Sequence, residues 1–162
     1  MEWGWPANNF DFIHIRELFG SIPNWDNFFT QTYRATKPGG WVEIAEHSVV
    51  PVSDDGTVTP DCFLSQWSRT ILEMGEKSGN SFTIWAESKE RLKRAGFVSV
   101  VEKRYKWPLS GWSRDKKLQE LGMWNQLRVY NGAEDFVLRL LTTHAGVRPS
   151  YSHCQESLLT GV

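Results

Sequence analysis

At 162 residues, with 40% hydrophobic and 23% charged side chains, the chain can bury one core and has none of the bias of a disordered or fibrous protein. Its 18 basic and 19 acidic side chains are mixed along the sequence and sum to −1, which leaves no electrostatic footprint for nucleic acid. No run approaches the roughly 20 consecutive apolar residues of a membrane span. Met1-Glu2-Trp3-Gly4-Trp5 lacks the basic start and apolar core of a signal peptide, and Cys62 and Cys154 are too few for a disulfide scaffold and lack metal-type spacing. The expected compartment is intracellular and reducing, cytoplasm or nucleus.

In chain order, Trp3 and Trp5 precede the turn-forming Pro6-Ala7-Asn8-Asn9, and aromatics of that size bury large areas wherever they sit. Phe10, Phe12, Ile13 and Ile15 form a short apolar run without helical period, which predicts a strand covered on both faces. After Gly20-Ser21, the aromatics Trp25, Phe28, Phe29 and Tyr33 fall on one face of a predicted helix. Pro38 stops that helix, and Gly39 or Gly40 turns the chain into a second buried strand through Trp41, Val42, Ile44 and Ala45. Asn9 to Glu46 thus reads as a βαβ unit.

Beyond it, Asp54 and Asp55 before Gly56 read as a turn, with too few oxygen ligands nearby for a metal. Asp61 is expected to cap a helix through Phe63, Leu64, Trp67, Ile71, Leu72 and Met74, ending between Gly75 and Gly79. Ser88 is expected to cap a shorter helix whose Leu92 and Ala95 face inward and which Gly96 closes. Phe97 to Trp107 alternates like a half-buried strand, with Lys103, Arg104 and Lys106 on its solvated side. Leu118, Leu121, Trp124 and Leu127 predict one helix, and Phe136, Leu138, Leu140 and Leu141 another after an Asn131-Gly132 turn. His144 would meet the dipole at that helix's end. Residues 1–147 are read as one partial domain and 148–162 as a poorly ordered tail, in which the adjacent His153 and Cys154 lack an orienting acid.

Joined together, FDFIHIRELFGSI and W…Y…KPGGWVEIAE resemble the second half of class I methyltransferases that use S-adenosylmethionine, in the fungal LaeA-like branch tied to secondary metabolism. The similarity runs from about Trp3 to Val147, and LKRAGFVSVVEKRYKWP resembles the family's entry into strand six. It implies an α/β fold, an incomplete Rossmann-like methyltransferase sheet of strands four to six with covering helices. Strands one to three, the glycine-rich cofactor turn and the ribose-binding acid would be absent from these residues, since no G-x-G cluster follows a strand and Gly39-Gly40 precedes one. The last strand of the family is not visible either. The flank of strand four would then be an open edge, a hazard for uncontrolled pairing.

The resemblance implies S-adenosylmethionine as cofactor and a small-molecule or protein methyl acceptor. It brings Trp3 and Trp5 close to the cofactor's adenine side, where they can stack, although covering the sheet edge is the favoured reading for aromatics of that size. His14, Arg16 and Glu17 are expected near the mouth at the exit of strand four, where open α/β sheets bind ligands. His14 can serve as base or contact cofactor or substrate, and Arg16 can hold a carboxylate or pair with Glu43 or Glu46. A helix lid would put Trp67 and Met74 over the acceptor. Three functions follow: methyl transfer, a non-catalytic subunit that regulates secondary metabolism with a homo-oligomeric or velvet-type partner, and a piece of a longer chain whose other part supplies the cofactor site.

Overall fold

The computed structural model describes residues 2–140, with their side chains as far as residue 132. The chain divides into two compact units, Met1–Glu102 and Lys103–Val162, a division that no shift in composition announces. The first unit holds strand β1 (Phe10–Arg16), helix α1 (Trp25–Ala35), strand β2 (Thr36–Ala45), helix α2 (Phe63–Ser78) and helix α3 (Ile84–Ala95). The second holds helix α4 (Lys116–Leu140).

β1 and β2 run parallel around α1, so the βαβ unit forms. Asn24 caps α1, its side-chain oxygen accepting the Asn27 N–H at 2.9 Å. Trp25, Phe29, Thr32 and Ala35 make the buried face, four and then three residues apart. Tyr33, expected with them, turns outward and meets Phe97 edge to face at 5.1 Å. The helix ends at Thr36, whose hydroxyl donates to the Thr32 carbonyl at 2.7 Å, one residue ahead of Lys37, which Pro38 bars from helical geometry. Lys37 to Gly40 then bulge out between the Phe10↔Thr36 and Phe12↔Trp41 pairs, with Gly39 at φ +79°.

The sheet is covered on one face only, contrary to the expectation for β1. Ile13 and Ile15, opposite Val42 and Ile44, turn inward, whereas Phe12, His14, Trp41 and Glu43 point out; Phe12 is 55% and Trp41 72% exposed. The alternation of polar His14 and Arg16 with isoleucines was the signature of a half-covered strand.

α2 begins one residue later than expected: Cys62 occupies the cap position, and the Asp61 carbonyl accepts from the Gln66 side chain. α3 begins five residues earlier than expected, with Thr83 in place of Ser88 at the cap position, because Ile84 is fully buried and starts the helix; Ser88 lies inside it, its hydroxyl donating to the Ile84 carbonyl at 2.7 Å. Gly79 and Gly96 end α2 and α3 in left-handed geometry. α3 is tied to α1 through Arg91, which bonds Asp26 at 2.8 Å and Glu87 at 2.7 Å.

No strand forms between Phe97 and Trp107. Val98, Val101 and Tyr105, expected on its half-buried face, are all more than three-quarters exposed, and among the described residues β1 and β2 pair only with each other, so no ladder takes up this stretch.

In the second unit, Asp115 caps α4 by accepting the Lys117 and Leu118 N–H groups. α4 continues through Asn131 and Gly132 where two helices were expected; one Asn-Gly pair does not break a helix whose flanks both favour it. Among its residues up to 132 the buried ones are Gly122 and Asn125, and the expected inward residues Leu118, Leu121, Trp124 and Leu127 are exposed. Gly122 sets that rotation, since a Cβ there would lie 2.0 Å from the Ser110 carbonyl oxygen. Asn125 donates to the Pro108 carbonyl at 2.9 Å, and the Arg128 guanidinium lies 4.5 Å over the Trp107 ring. His144, His153, Cys154 and the expected tail lie outside the described residues.

Candidate functional site

Both parallel strands end at the same level, Arg16 opposite Ala45, and the residues that follow make a shared rim. Glu17 takes φ +50°, uncommon for a residue with a side chain, while its N–H donates to the Ala45 carbonyl at 3.1 Å. Glu46, half-buried just beyond β2, accepts the Leu18 N–H at 2.8 Å and the Phe19 N–H at 3.3 Å. One carboxylate thereby fastens the exit of β1 to the exit of β2. Burial raises the pKa of Glu46, the backbone donors oppose that rise, and the neighbouring Glu17 charge adds to it.

His47 follows. Its Nδ1 lies 3.7 Å from a Glu17 carboxylate oxygen, and its ring meets Phe19 edge to face at 4.6 Å. Phe19 in turn contacts Phe82 at 5.7 Å. The Phe82 ring fills the space beside Gly20 (φ +70°) and Gly75, where added Cβ atoms would each lie 2.4 Å from it. An apolar floor of Phe19 and Phe82 thus underlies a rim of two carboxylates and one imidazole.

His14 lies two residues before the end of β1 on the outward sheet face, its Nδ1 2.8 Å from Glu43, with Phe12 stacked at 6.4 Å. Arg16 is exposed at the rim and forms neither of its expected pairs: Glu43 is bonded to His14 and Glu46 to backbone. Trp3 and Trp5 stand at the opposite, amino-terminal end of β1. Trp3 meets Phe28 at 5.3 Å and Trp5 meets Phe10 at 5.3 Å; both carbonyls accept from Arg34, and Gln31 accepts the Trp3 N–H. His14 and Arg16 therefore share a strand face, and the two tryptophans are distant from them along that strand. Met74 is buried in the core. Asp55 accepts from the Thr57 N–H and hydroxyl, a self-contained turn.

Glu17 was expected at this mouth; that Glu46 and His47 meet it there was not singled out by sequence reasoning. The signal was positional, in that these residues immediately follow the last residues of two parallel strands. Among the described residues no group of three or more His, Cys, Asp or Glu side chains could hold a metal ion. An open hollow of about 540 Å³ beside α4 is lined by Lys116, Gln119, Glu120, Met123, Trp124 and Leu127, all from one helix, and has no enclosing wall.

A parallel βαβ unit with polar groups at its carboxyl rim defines an α/β protein of the ligand-binding kind. The chain belongs to the methyltransferase domain family, whose model matches residues 1–130, and it is LaeA-like. It is 34% identical over 140 residues to methyltransferase pytC of Aspergillus terreus, covering 86% of this chain and 43% of that protein. It is equally 34% identical over 140 residues to the probable methyltransferase tdiE of Emericella nidulans, covering 86% and 44%. Secondary metabolism regulator LAE1 of Cochliobolus heterostrophus is 28% identical over 154 residues, covering 91% and 50%. The chain thus spans half or less of the length of these relatives.

The family implies a methyl donor. Among the described residues the turn after β1 carries Gly20, and the Phe82 ring fills the space beside it. No helix of the described residues is long and apolar enough to cross a membrane.

Proposed function

We propose that the chain carries the acceptor side of an S-adenosylmethionine-dependent methyltransferase acting on a small molecule or a protein. The observation that supports this reading is the rim of Arg16, Glu17, Glu46 and His47 at the carboxyl ends of two parallel strands, in a chain of the methyltransferase domain family. Methyl transfer is an in-line displacement in which the protein aligns the acceptor and removes a proton where the acceptor needs it. Arg16, exposed at the rim, suits an acidic group on the acceptor. His14, held by Glu43, is the second basic group of that strand and the alternative contact. Trp3 and Trp5 serve to cover α1 and the start of β1, as their contacts with Phe28, Phe10 and Arg34 suggest.

The test is thermal unfolding of the chain with and without saturating S-adenosylmethionine. At about 100 times its dissociation constant the ligand adds about 2.7 kcal/mol to the folded state, a shift of several degrees. A shift supports the enzyme reading for this chain. Its absence from a folded chain excludes donor binding by these residues and favours the second reading, a non-catalytic subunit that acts through a protein partner. That reading is supported by the exposed aromatics Phe12 and Trp41 on the outward sheet face and by relatives named as secondary metabolism regulators.

A further inference from the structure

We propose that α4 docks on the α4 of a second copy of this chain, the two helices antiparallel and related by a two-fold axis near residue 125. The inference goes beyond methyl transfer and stands on α4 alone. Gly122 and Asn125 occupy the face of α4 that packs within its own unit, against the Ser110 and Pro108 carbonyls. On the opposite face stand Lys116, Glu120, Met123, Leu127 and Tyr130, all exposed, at successive spacings of four, three, four and three residues. That is the seven-residue seam by which one helix packs along another. Glu134, four residues further on, continues the seam by its position in the helix.

Reversed, the seam is its own complement. About residue 125, Met123 falls opposite Leu127, Glu120 opposite Tyr130 and Lys116 opposite Glu134, and the two-fold axis repeats each pair. Apolar residues meet at the centre, a carboxylate meets a phenolic O–H on either side, and opposite charges meet at the ends. A parallel copy would set Lys116 against Lys116 and Glu120 against Glu120, like charge on like. Antiparallel helices also oppose their dipoles. This charge complementarity of the seam with itself selects a second copy over a partner of another sequence.

The open hollow of about 540 Å³ lies on the same face, lined by α4 and by no other element. A second helix packed with its axis about 8–10 Å away supplies the missing wall. Trp124 borders both the hollow and the seam and is 64% exposed, a large aromatic placed to reach across to the partner's helix. Such residues carry much of the energy of an interface.

The test is cross-linking at named positions of the full chain, with Cys62→Ser and Cys154→Ser throughout. One preparation carries Glu120→Cys and another Tyr130→Cys, and each is treated with a short bismaleimide alone and after mixing. A covalent dimer is expected from the mixture and not from either preparation alone, because two copies of position 120 would lie about 15 Å apart along the helix axis. Adding Leu127→Asp to both lowers the yield about tenfold. Lys116→Glu lowers it severalfold, and Lys116→Glu combined with Glu134→Lys restores it, a recovery that a misfolded variant does not give. Dimer formed equally well by either preparation alone, a yield unchanged by Leu127→Asp, or no covalent dimer from a folded chain overturns the proposal. The last result leaves the face to a partner of another sequence. The readout is tied to positions of α4, so self-association through the exposed face of β1 and β2 is a separate result.

Discussion

Asp26 shows how one exposed carboxylate ties two helices together. It lies in the first turn of α1, where negative charge is favoured, and it accepts from Arg91 and Arg94 of α3. The hydrogen bond from Arg91 is the main cause that lowers its pKa, with the charges of Arg91 and Arg94 adding to it. A lowered carboxylate pKa contributes stability that is present above the unfolded value and lost as pH falls through the folded one. Asp26→Asn is therefore expected to cost up to about 1 kcal/mol near pH 7, little because the pair is exposed, and the difference from the unaltered chain should close in acid. Urea unfolding at a series of pH values measures it; a cost that persists undiminished below the carboxylate range contradicts this account.

Glu46 has the opposite sign. Desolvation raises its pKa in the folded chain, so its contribution is greatest below the unfolded value and is lost as pH rises through the folded one. Glu46→Gln keeps an oxygen for the Leu18 N–H and removes the titration. In the same unfolding series the variant should lose part of the decline in stability above the carboxylate range, and an unchanged slope would locate that decline elsewhere. Neither residue stands out in sequence. Asp26 and Arg91 are 65 positions apart, and what they share is the contact between α1 and α3.

At the scale of elements, the rim depends on Phe82, whose ring lies against β1's exit and α2 at once. Gly75 is buried inside α2, and an alanine there would put its Cβ 2.4 Å from that ring and 2.8 Å from the Asn80 carbonyl oxygen. Gly75→Ala removes a poor helix former, which alone would stabilise by about 1 kcal/mol. The clash reverses the sign: overpacking of a filled core costs about 1–3 kcal/mol. We expect net destabilisation in chemical unfolding, and a more stable variant would mean that Phe82 moves aside easily. The helices α1, α2 and α3 were legible because their apolar spacing, Pro38 after α1 and the closing glycines of α2 and α3 are local signals. The start of α3 was not, since Ser88 is as good a cap by type as any residue and only the burial of Ile84 moves the start to Thr83. The expected strand from Phe97 has the right alternation, but alternation does not supply a neighbour.

For the whole molecule, the consequence lies on the outward face of the sheet. Phe12 and Trp41 stand exposed beside the His14–Glu43 pair, and among the described residues β1 and β2 pair only with each other. A two-stranded sheet with one aromatic face in water is marginal, and its edges invite pairing. The chain is expected to self-associate or to need a partner, with an unfolding midpoint that rises with protein concentration. Trp41→Lys should reduce that dependence, which sedimentation and thermal unfolding at several concentrations would report. A concentration-independent monomer of the unaltered chain contradicts it.

By itself the sequence determined the βαβ unit, the ends of three helices and the family, because hydrophobic period, helix-stopping residues and motif spacing are written locally. The tertiary structure decided which strand face is covered, which face of α4 turns inward, and that Glu17, Glu46 and His47 meet at one rim. Those outcomes depend on what lies opposite each residue in space: a helix against one sheet face, the Ser110 carbonyl against Gly122, and two strand exits fastened by a single half-buried carboxylate.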